Sequence, residues 1–217
     1  METYSVLLVD DHAMILEGYK NVLQFMDLPY TLKIDTVFDC DQAWGKLQQK
    51  KYDLVLSDLN FSNPELHKIK DGEQLCMRIN ANFPATKIII ITMIEDAFRL
   101  RGLIKNINPN GLLVKGDTSP SELVFCVSKV IENQVFYGNR VSRVLAADMQ
   151  MQYDLDQIDK EILYQLHLGS SNNEIADKIH MSLRAVETRK RKIKDLFGII
   201  ERGNKELLQK AKEAGYI

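Results

Sequence analysis

The stretch Val6-Leu7-Leu8-Val9-Asp10-Asp11 decides the fold, because four consecutive apolar residues end in two carboxylates. Three more short apolar runs follow, at Leu54–Leu56, Ile88–Ile91 and Leu112–Val114, and a weaker alternating run lies at residues 32–37. Apolar runs of strand length, separated by segments with helical periodicity, are typical of parallel strands covered on both faces. The N-terminal part is therefore predicted to be an α/β domain with a doubly wound, five-stranded parallel sheet.

Local signals place the last helix of this domain and the end of the domain. Ser119 is a candidate N-cap, Pro120 suits the first helical position, and Glu122 completes a capping box. After about residue 132 the apolar strand pattern stops. The predicted organisation is an α/β domain over residues 1–132, a linker over residues 133–152 and a helical domain over residues 153–217.

The C-terminal part shows only helical periodicity. Asn173–Ile179 and Leu183–Phe197 are amphipathic segments joined by the polar turn His180-Met181-Ser182. Ser171 and Glu174 form a capping box before the first segment. Two helices joined by a short turn are the layout of a helix-turn-helix, so a small all-α domain of this kind is predicted.

The second helix of this module carries a basic run. Residues 184–194 contain six lysines and arginines against a single acid, Glu187. In a helix that enters the major groove, arginines can bond guanine edges while other cations bind phosphates. The predicted apolar stripe is Leu183, Val186, Ile193 and Phe197. The predicted DNA-binding residues are Arg184, Thr188 and Arg191 on the groove face, with Arg189, Lys190, Lys192 and Lys194 at the phosphates.

Bulk composition narrows the class of protein. The net charge of −2 argues against a uniformly basic nucleic-acid binder. The three cysteines, Cys40, Cys76 and Cys126, are scattered without a Cys-x-x-Cys pair, so neither a disulfide framework nor a zinc site is expected. No apolar run approaches the roughly 20 residues of a membrane span, and the first residues lack the features of a signal peptide. We expect a cytosolic globular protein.

Polar residues end four of the predicted strands. Asp10 and Asp11 follow the first strand, Asp58 the third, Thr92 the fourth and Lys115 the fifth. Ligands of open parallel sheets bind outside the carboxyl ends of the strands. Three carboxylates close together repel one another and favour a hard divalent cation with oxygen ligands, which points to Mg²⁺. The pattern predicts phosphoryl capture: Asp58 attacks the phosphoryl group, and Thr92 and Lys115 hold its oxygens.

This set of five residues resembles the receiver domain of bacterial response regulators. The resemblance covers residues 3–132 and implies a flavodoxin-like fold, a phosphoacceptor at Asp58 and a histidine kinase as phosphoryl donor. It also implies that Asp11, Asp58 and the backbone carbonyl of Asn60 ligate Mg²⁺, with Asp10 assisting through a water molecule. His12 is predicted to be a partly exposed residue that enters the first helix, outside the site.

The C-terminal module is similar to the helix-turn-helix of the NarL and LuxR type, over residues 153–217. This resemblance implies binding to double-stranded DNA as a homodimer and regulation of transcription. Glu187 stands where the family usually has a basic residue and Arg189 where histidine is common, so base preference is not carried over. The matching residues are Asn173-Glu174-Ile175-Ala176, Met181-Ser182, Val186, Ile193 and Leu196.

The predicted function is that of a response regulator transcription factor rather than an enzyme, and two alternatives remain. One is an aspartate-nucleophile phosphatase with an accessory domain, which generally needs a second carboxylate two residues after the nucleophile. Asn60 occupies that position and disfavours it. The other is a receiver-like dimerisation module whose DNA binding is independent of phosphorylation.

Three further departures from the family concern signal transmission. Leu112 stands where an aromatic residue is usual, three positions before the strand-five lysine, and Met93 follows Thr92 where a small residue is common. The loop from Asp58 to Gly72 is several residues longer than usual. We expect these features to loosen the coupling between phosphorylation and dimerisation.

Overall fold

The computed structural model describes residues 2–25, 28–62, 64–149, 153–199 and 203–217. The chain forms two compact units, one of residues 1–95 and 102–142 and the other of residues 143–217 with residues 96–101. Each unit has its own buried hydrophobic cluster. No helix in the described part of the chain combines the length and the apolarity that a membrane span requires.

The first unit contains a parallel sheet in the order β2-β1-β3-β4-β5-β6. The first five strands follow the flavodoxin-like order, and the buried strands β3, β4 and β5 are the predicted apolar runs. The doubly wound α/β prediction is thereby confirmed. The strands are β1 (Thr3–Val9), β2 (Thr31–Val37), β3 (Leu54–Ser57), β4 (Lys87–Thr92), β5 (Gly111–Val114) and β6 (Phe136–Tyr137).

The predicted count of five strands was wrong by one, because β6 adds a sixth. Gly111 and Leu112 of β5 pair with Phe136 and Tyr137 of β6. A two-residue strand has neither an apolar run nor an alternation long enough to detect, and it lies within the residues predicted as linker.

Helices fill the connections between the strands: α1 (Ala13–Phe25), α2 (Cys40–Gln49), α3 (Gly72–Asn82), α4 (Ala97–Ile107) and α5 (Pro120–Ile131), with α6 (Asn139–Met149) after β6. The first residues of α4, up to residue 101, and the part of α6 from residue 143 onward belong to the second unit. Ser119 caps α5 as predicted, since its side chain accepts a hydrogen bond from the Glu122 N–H. The predicted capping box is only half formed, because the Glu122 carboxylate accepts from the Asn139 N–H at 3.3 Å instead.

The second unit contains α7 (Gln157–His167), α8 (Asn172–Lys178), α9 (Leu183–Leu196) and α10 (Lys205–Glu213). The capping box of Ser171 and Glu174 at the start of α8 is present, and the Ser182 side chain caps α9. Val186 and Ile193 are fully buried, but Leu183, predicted on the same stripe, is 42% exposed because it is the first residue of α9. The described elements include the predicted helix-turn-helix, α8 and α9.

Candidate functional site

The register of the sheet brings the polar strand ends of the first unit to one edge. Val9 pairs with Ser57, so Asp10 and Asp58 leave adjacent strands side by side. Thr92 pairs with Val114, so Lys115 follows directly beside it. Asp10, Asp58 and Thr92 are all buried, with at most 5% exposure. The predicted grouping of residues from four strands is therefore present as a cluster.

Lys115 bridges the two buried carboxylates of this cluster. Its Nζ lies 2.6 Å from Asp10 Oδ2 and 2.6 Å from Asp58 Oδ2. Burial opposes the charged form, but the hydrogen bonds to Asp10 and Asp58 outweigh this effect and raise the pKa of Lys115. A permanent positive charge thus lies against Asp58, where it can hold the oxygen of an incoming anion.

The backbone around Asp58 is closely packed and orients its carboxylate. Asp58 Oδ1 accepts hydrogen bonds from the N–H groups of Leu59 at 2.6 Å and Asn60 at 3.4 Å. The Ser57 hydroxyl donates to the Asp58 carbonyl oxygen, and the Gly72 N–H donates to the Leu59 carbonyl. At Gly72, an added Cβ would lie 2.0 Å from the Asp58 carbonyl oxygen. Gly72, the first residue of α3, therefore packs directly against the backbone of Asp58.

The hydrogen bonding of the Asp11 carboxylate shows whether the site suits a divalent cation. Its Oδ2 accepts from the Ser62 N–H at 2.8 Å. Its buried Oδ1 accepts no hydrogen bond from the described residues, although the exposed His12 ring lies beside it, with Nδ1 at 2.8 Å. Burial would raise the pKa of Asp11, but the hydrogen bonds from Ser62 and the neighbouring His12 hold it below its usual value. A charged carboxylate with an unsatisfied buried oxygen, next to Asp10, fits a hard cation such as Mg²⁺.

His12 lies at the site, contrary to the prediction that left it outside. Its ring is 66% exposed, as expected, but Nδ1 lies 3.1 Å from Asp10 Oδ1 and 2.8 Å from Asp11 Oδ1. Asp10, Asp11 and His12 can each present one metal-ligating atom, and these three atoms lie within 4.8 Å of one another. The position of His12 in the sequence could have indicated this contact, because a residue that directly follows two strand-end acids stays within reach of both.

Thr92 occupies the other flank of the cluster. Its Oγ1 accepts from the Ile94 N–H at 3.2 Å, and its carbonyl accepts from the Lys115 N–H at 2.8 Å. Leu112 is fully buried, whereas Met93 is 60% exposed. The expectation that these two residues loosen signal coupling stays a prediction.

The long loop between Asp58 and α3 is anchored at its far end. Both oxygens of Asp41, in the first turn of α2, accept from the loop, from the N–H groups of Lys68 at 2.9 Å and Ile69 at 3.1 Å. Ile69 is only 2% exposed. The predicted polar loop is thus tied to the body of its unit; residue 63 lies outside the described residues.

In the second unit, the predicted DNA-binding residues of α9 divide into two sets. Arg184, Thr188, Arg191 and Lys192 are exposed, and the first three share one face. The other cations contact the body of the unit: Arg189 Nη1 lies 2.6 Å from Asp156 Oδ2 and 2.7 Å from Asp159 Oδ1, Lys190 donates to the Asn172 side chain, and Lys194 donates to the Gly203 carbonyl. The structure therefore groups the predicted base-reading residues but directs Arg189, Lys190 and Lys194 inward.

Comparison with known proteins agrees with this geometry. Residues 6–124, more than half of the chain, match the family model of the response regulator receiver domain. Among curated proteins, the oxygen regulatory protein NreC of Staphylococcus carnosus is 27% identical, and that of Staphylococcus epidermidis 25%; both alignments cover 85% of this chain and 87% of the relative.

Solved structures extend the likeness over nearly the whole chain. RcsB from Salmonella enterica serovar Typhimurium, bound to a promoter in the presence of the phosphomimetic BeF₃⁻, superposes with a TM-score of 0.64 at 21% identity, covering 97% of this chain and 98% of RcsB. A two-component response regulator RcsB–DNA complex gives 0.66 at 21% identity, covering 98% and 99%. At this identity the likeness establishes the fold.

A doubly wound sheet with acids and a lysine at its carboxyl edge, followed by a helix-turn-helix, defines the class of two-domain signalling proteins. The chain belongs to the response regulator receiver domain family. The predicted resemblance to response regulators of the NarL and LuxR type is confirmed.

Proposed function

We propose that this protein is a phosphorylation-controlled transcription factor that accepts a phosphoryl group on Asp58 from a histidine kinase. The observation that carries this proposal is the Lys115 ammonium, held 2.6 Å from both Asp10 and Asp58 at the carboxyl edge of the sheet. We place the receiver in residues 1–132, a linker in residues 133–152 and the DNA-binding domain in residues 153–217; residues 150–152 lie outside the described part of the chain.

The reaction is an in-line phosphoryl transfer. A carboxylate oxygen of Asp58 attacks phosphorus, the P–N bond to the kinase imidazole breaks, and the electron pair leaves with the imidazole nitrogen. Lys115 balances negative charge on the phosphoryl oxygens, and Thr92 can donate its hydroxyl hydrogen to one of them. Asp11, Asp58 and the Asn60 carbonyl would hold Mg²⁺, with Asp10 assisting through water. When bound, the cation neutralises charge between the carboxylates and the phosphoryl group.

Asp58→Asn is expected to abolish phosphorylation by a small phosphodonor in the presence of Mg²⁺, as read by intact mass. The substitution is nearly isosteric, so the fold should persist. Asp53→Asn is the matched control, because Asp53 precedes β3 at the opposite end of the strand and should leave labelling unchanged. A phosphoryl adduct on the Asp58→Asn protein would remove Asp58 from its assigned role.

The same experiment separates the proposed function from its alternatives. A persistent adduct on the natural protein supports the response regulator. Rapid consumption of the phosphodonor without an adduct would support a phosphatase, and absence of any reaction would support a module without a phosphate switch. Sedimentation of the same samples tests the homodimer that we propose as the DNA-binding form.

We further propose that α9 enters the major groove of double-stranded DNA and that the protein regulates transcription in the cytoplasm. The exposed face formed by Arg184, Thr188 and Arg191 supports this assignment, since arginines near the N-terminal half of such a helix reach base edges. Among the seven predicted DNA-binding residues, Arg189, Lys190 and Lys194 make inward contacts. Lys192 also approaches Asp159 Oδ2, at 3.5 Å, but its side chain is 55% exposed, so we assign it the phosphate contact.

Arg184→Ala and Lys192→Ala are expected to weaken DNA binding in different ways. Loss of Arg184 should relax sequence preference at one base position, whereas loss of Lys192 should weaken binding to all sequences alike and reduce the salt slope by about one unit. Affinities for selected and random duplexes, measured over a range of salt concentrations, distinguish the two. Identical effects of both substitutions on both duplexes would contradict the assigned groove face.

A further inference from the structure

Glu187 is the acid in the basic run of α9, and it lies on the helix face assigned to the groove. With 3.6 residues per turn, its side chain is about 60° around the helix from Arg184 and about 40° from Arg191. Glu187 is exposed, as are both arginines. It is the fifth residue of α9, within the N-terminal half from which such helices reach base edges.

Contacts on the remaining faces of α9 prevent this carboxylate from turning inward. Val186 and Ile193 are fully buried in the core of the unit, and Arg189 is held by Asp156 and Asp159. Within the ranges that the structure describes, Glu187 has no hydrogen bond or ion pair with any side chain. Its orientation is therefore set by the packing of the helix.

In the free protein the Glu187 carboxylate and the Lys190 ammonium attract each other, but close to DNA a negative charge in this position is unfavourable unless a base offers it a donor. Phosphates repel it, and the two flanking arginines, three residues before and four residues after it, make no hydrogen bond or ion pair with it among the described residues. The donors on the floor of the major groove are the amino groups of cytosine and adenine. Adenine also presents its N7 acceptor beside the amino group, which repels a carboxylate, whereas cytosine presents no such acceptor.

We propose that Glu187 is a specificity-determining residue that accepts a hydrogen bond from the N4 amino group of a cytosine. This inference rests on the proposed function, since it requires α9 to enter the groove. The repulsion between Glu187 and the phosphates is compensated at one base position, and the site thereby rejects bases without a suitably placed donor.

The test is selection of bound duplexes from a random pool by the full-length protein, followed by affinity measurements at one fixed salt concentration. Glu187→Gln is the informative variant, because glutamine pairs with the N6 and N7 atoms of adenine. Asp195→Asn is the matched control: it removes the same charge from an exposed residue of α9, about 12 Å further along the helix.

The natural protein should select cytosine at one position of its site, by about fivefold or more over the other bases. Glu187→Gln should change that preference to adenine at the same position and keep the others, while Asp195→Asn should keep the cytosine. An unchanged preference in Glu187→Gln, with tighter binding to every sequence, would overturn the inference. Failure of the natural protein to bind any duplex would instead overturn the proposed DNA-binding function.

Discussion

Replacement of Gly72 by alanine is expected to destabilise the first unit by about 3 kcal/mol, the upper end of the usual cost of overpacking. A Cβ at this position would lie 2.0 Å from the Asp58 carbonyl oxygen and 2.7 Å from the Leu59 Cα. Both obstacles are backbone atoms, and the Ser57 hydroxyl holds the carbonyl in place. The clash can therefore be relieved only by moving α3 or the segment that carries Asp58, so phosphorylation should slow as well.

Denaturant unfolding monitored by Trp44 measures the first part of this prediction, because the single tryptophan lies in α2 of the same unit. Gly45→Ala in α2 is the control: a Cβ there meets nothing within 4 Å, and alanine should stabilise the helix by about 0.5–1 kcal/mol. Equal stability and equal phosphorylation of the Gly72→Ala and natural proteins would show that α3 does not press on Asp58.

Arg189→Ala is expected to cost the second unit about 3 kcal/mol, the lower end of the range for breaking a buried ion pair. Asp159 is completely buried, and Arg189 Nη1 is its nearest cationic partner at 2.7 Å, while Lys192 lies at 3.5 Å. Removal of Arg189 leaves a buried carboxylate with only the more distant lysine. The same guanidinium holds Asp156 at the N-cap of α7, so the join between α7 and α9 should loosen.

Urea unfolding followed by helical circular dichroism measures this effect. Arg191→Ala is the matched control, because it removes an exposed arginine from the same helix and should change the free energy of unfolding by no more than about 0.5 kcal/mol. The salt slope of DNA binding adds a second readout. If Arg189→Ala lowered that slope by one unit and left stability unchanged, Arg189 would be a phosphate contact, as the sequence pattern indicates.

The sequence by itself determined the five main strands of the sheet and which polar residues lie at their carboxyl ends. Uninterrupted apolar runs of strand length, alternating with helical segments that cover both faces of the sheet, form buried parallel strands. Parallel strands present their carboxyl ends together. The grouping of Asp10, Asp58, Thr92 and Lys115 therefore follows from their positions directly after these runs. The helix-turn-helix follows equally from local signals, because caps and a 3.6-residue apolar period act over a few residues.

Only the tertiary structure decided which partners these side chains take. The two residues of β6 acquire strand geometry solely by pairing with β5, and Gly72 is constrained by backbone more than ten residues earlier in the chain. Arg189 belongs by type to a DNA-binding face, yet two acids at the start of α7, some thirty residues before it, bind its guanidinium. Periodicity gives the direction of a side chain around its own helix, but the group that it meets there depends on the packing of distant segments, which no local pattern encodes.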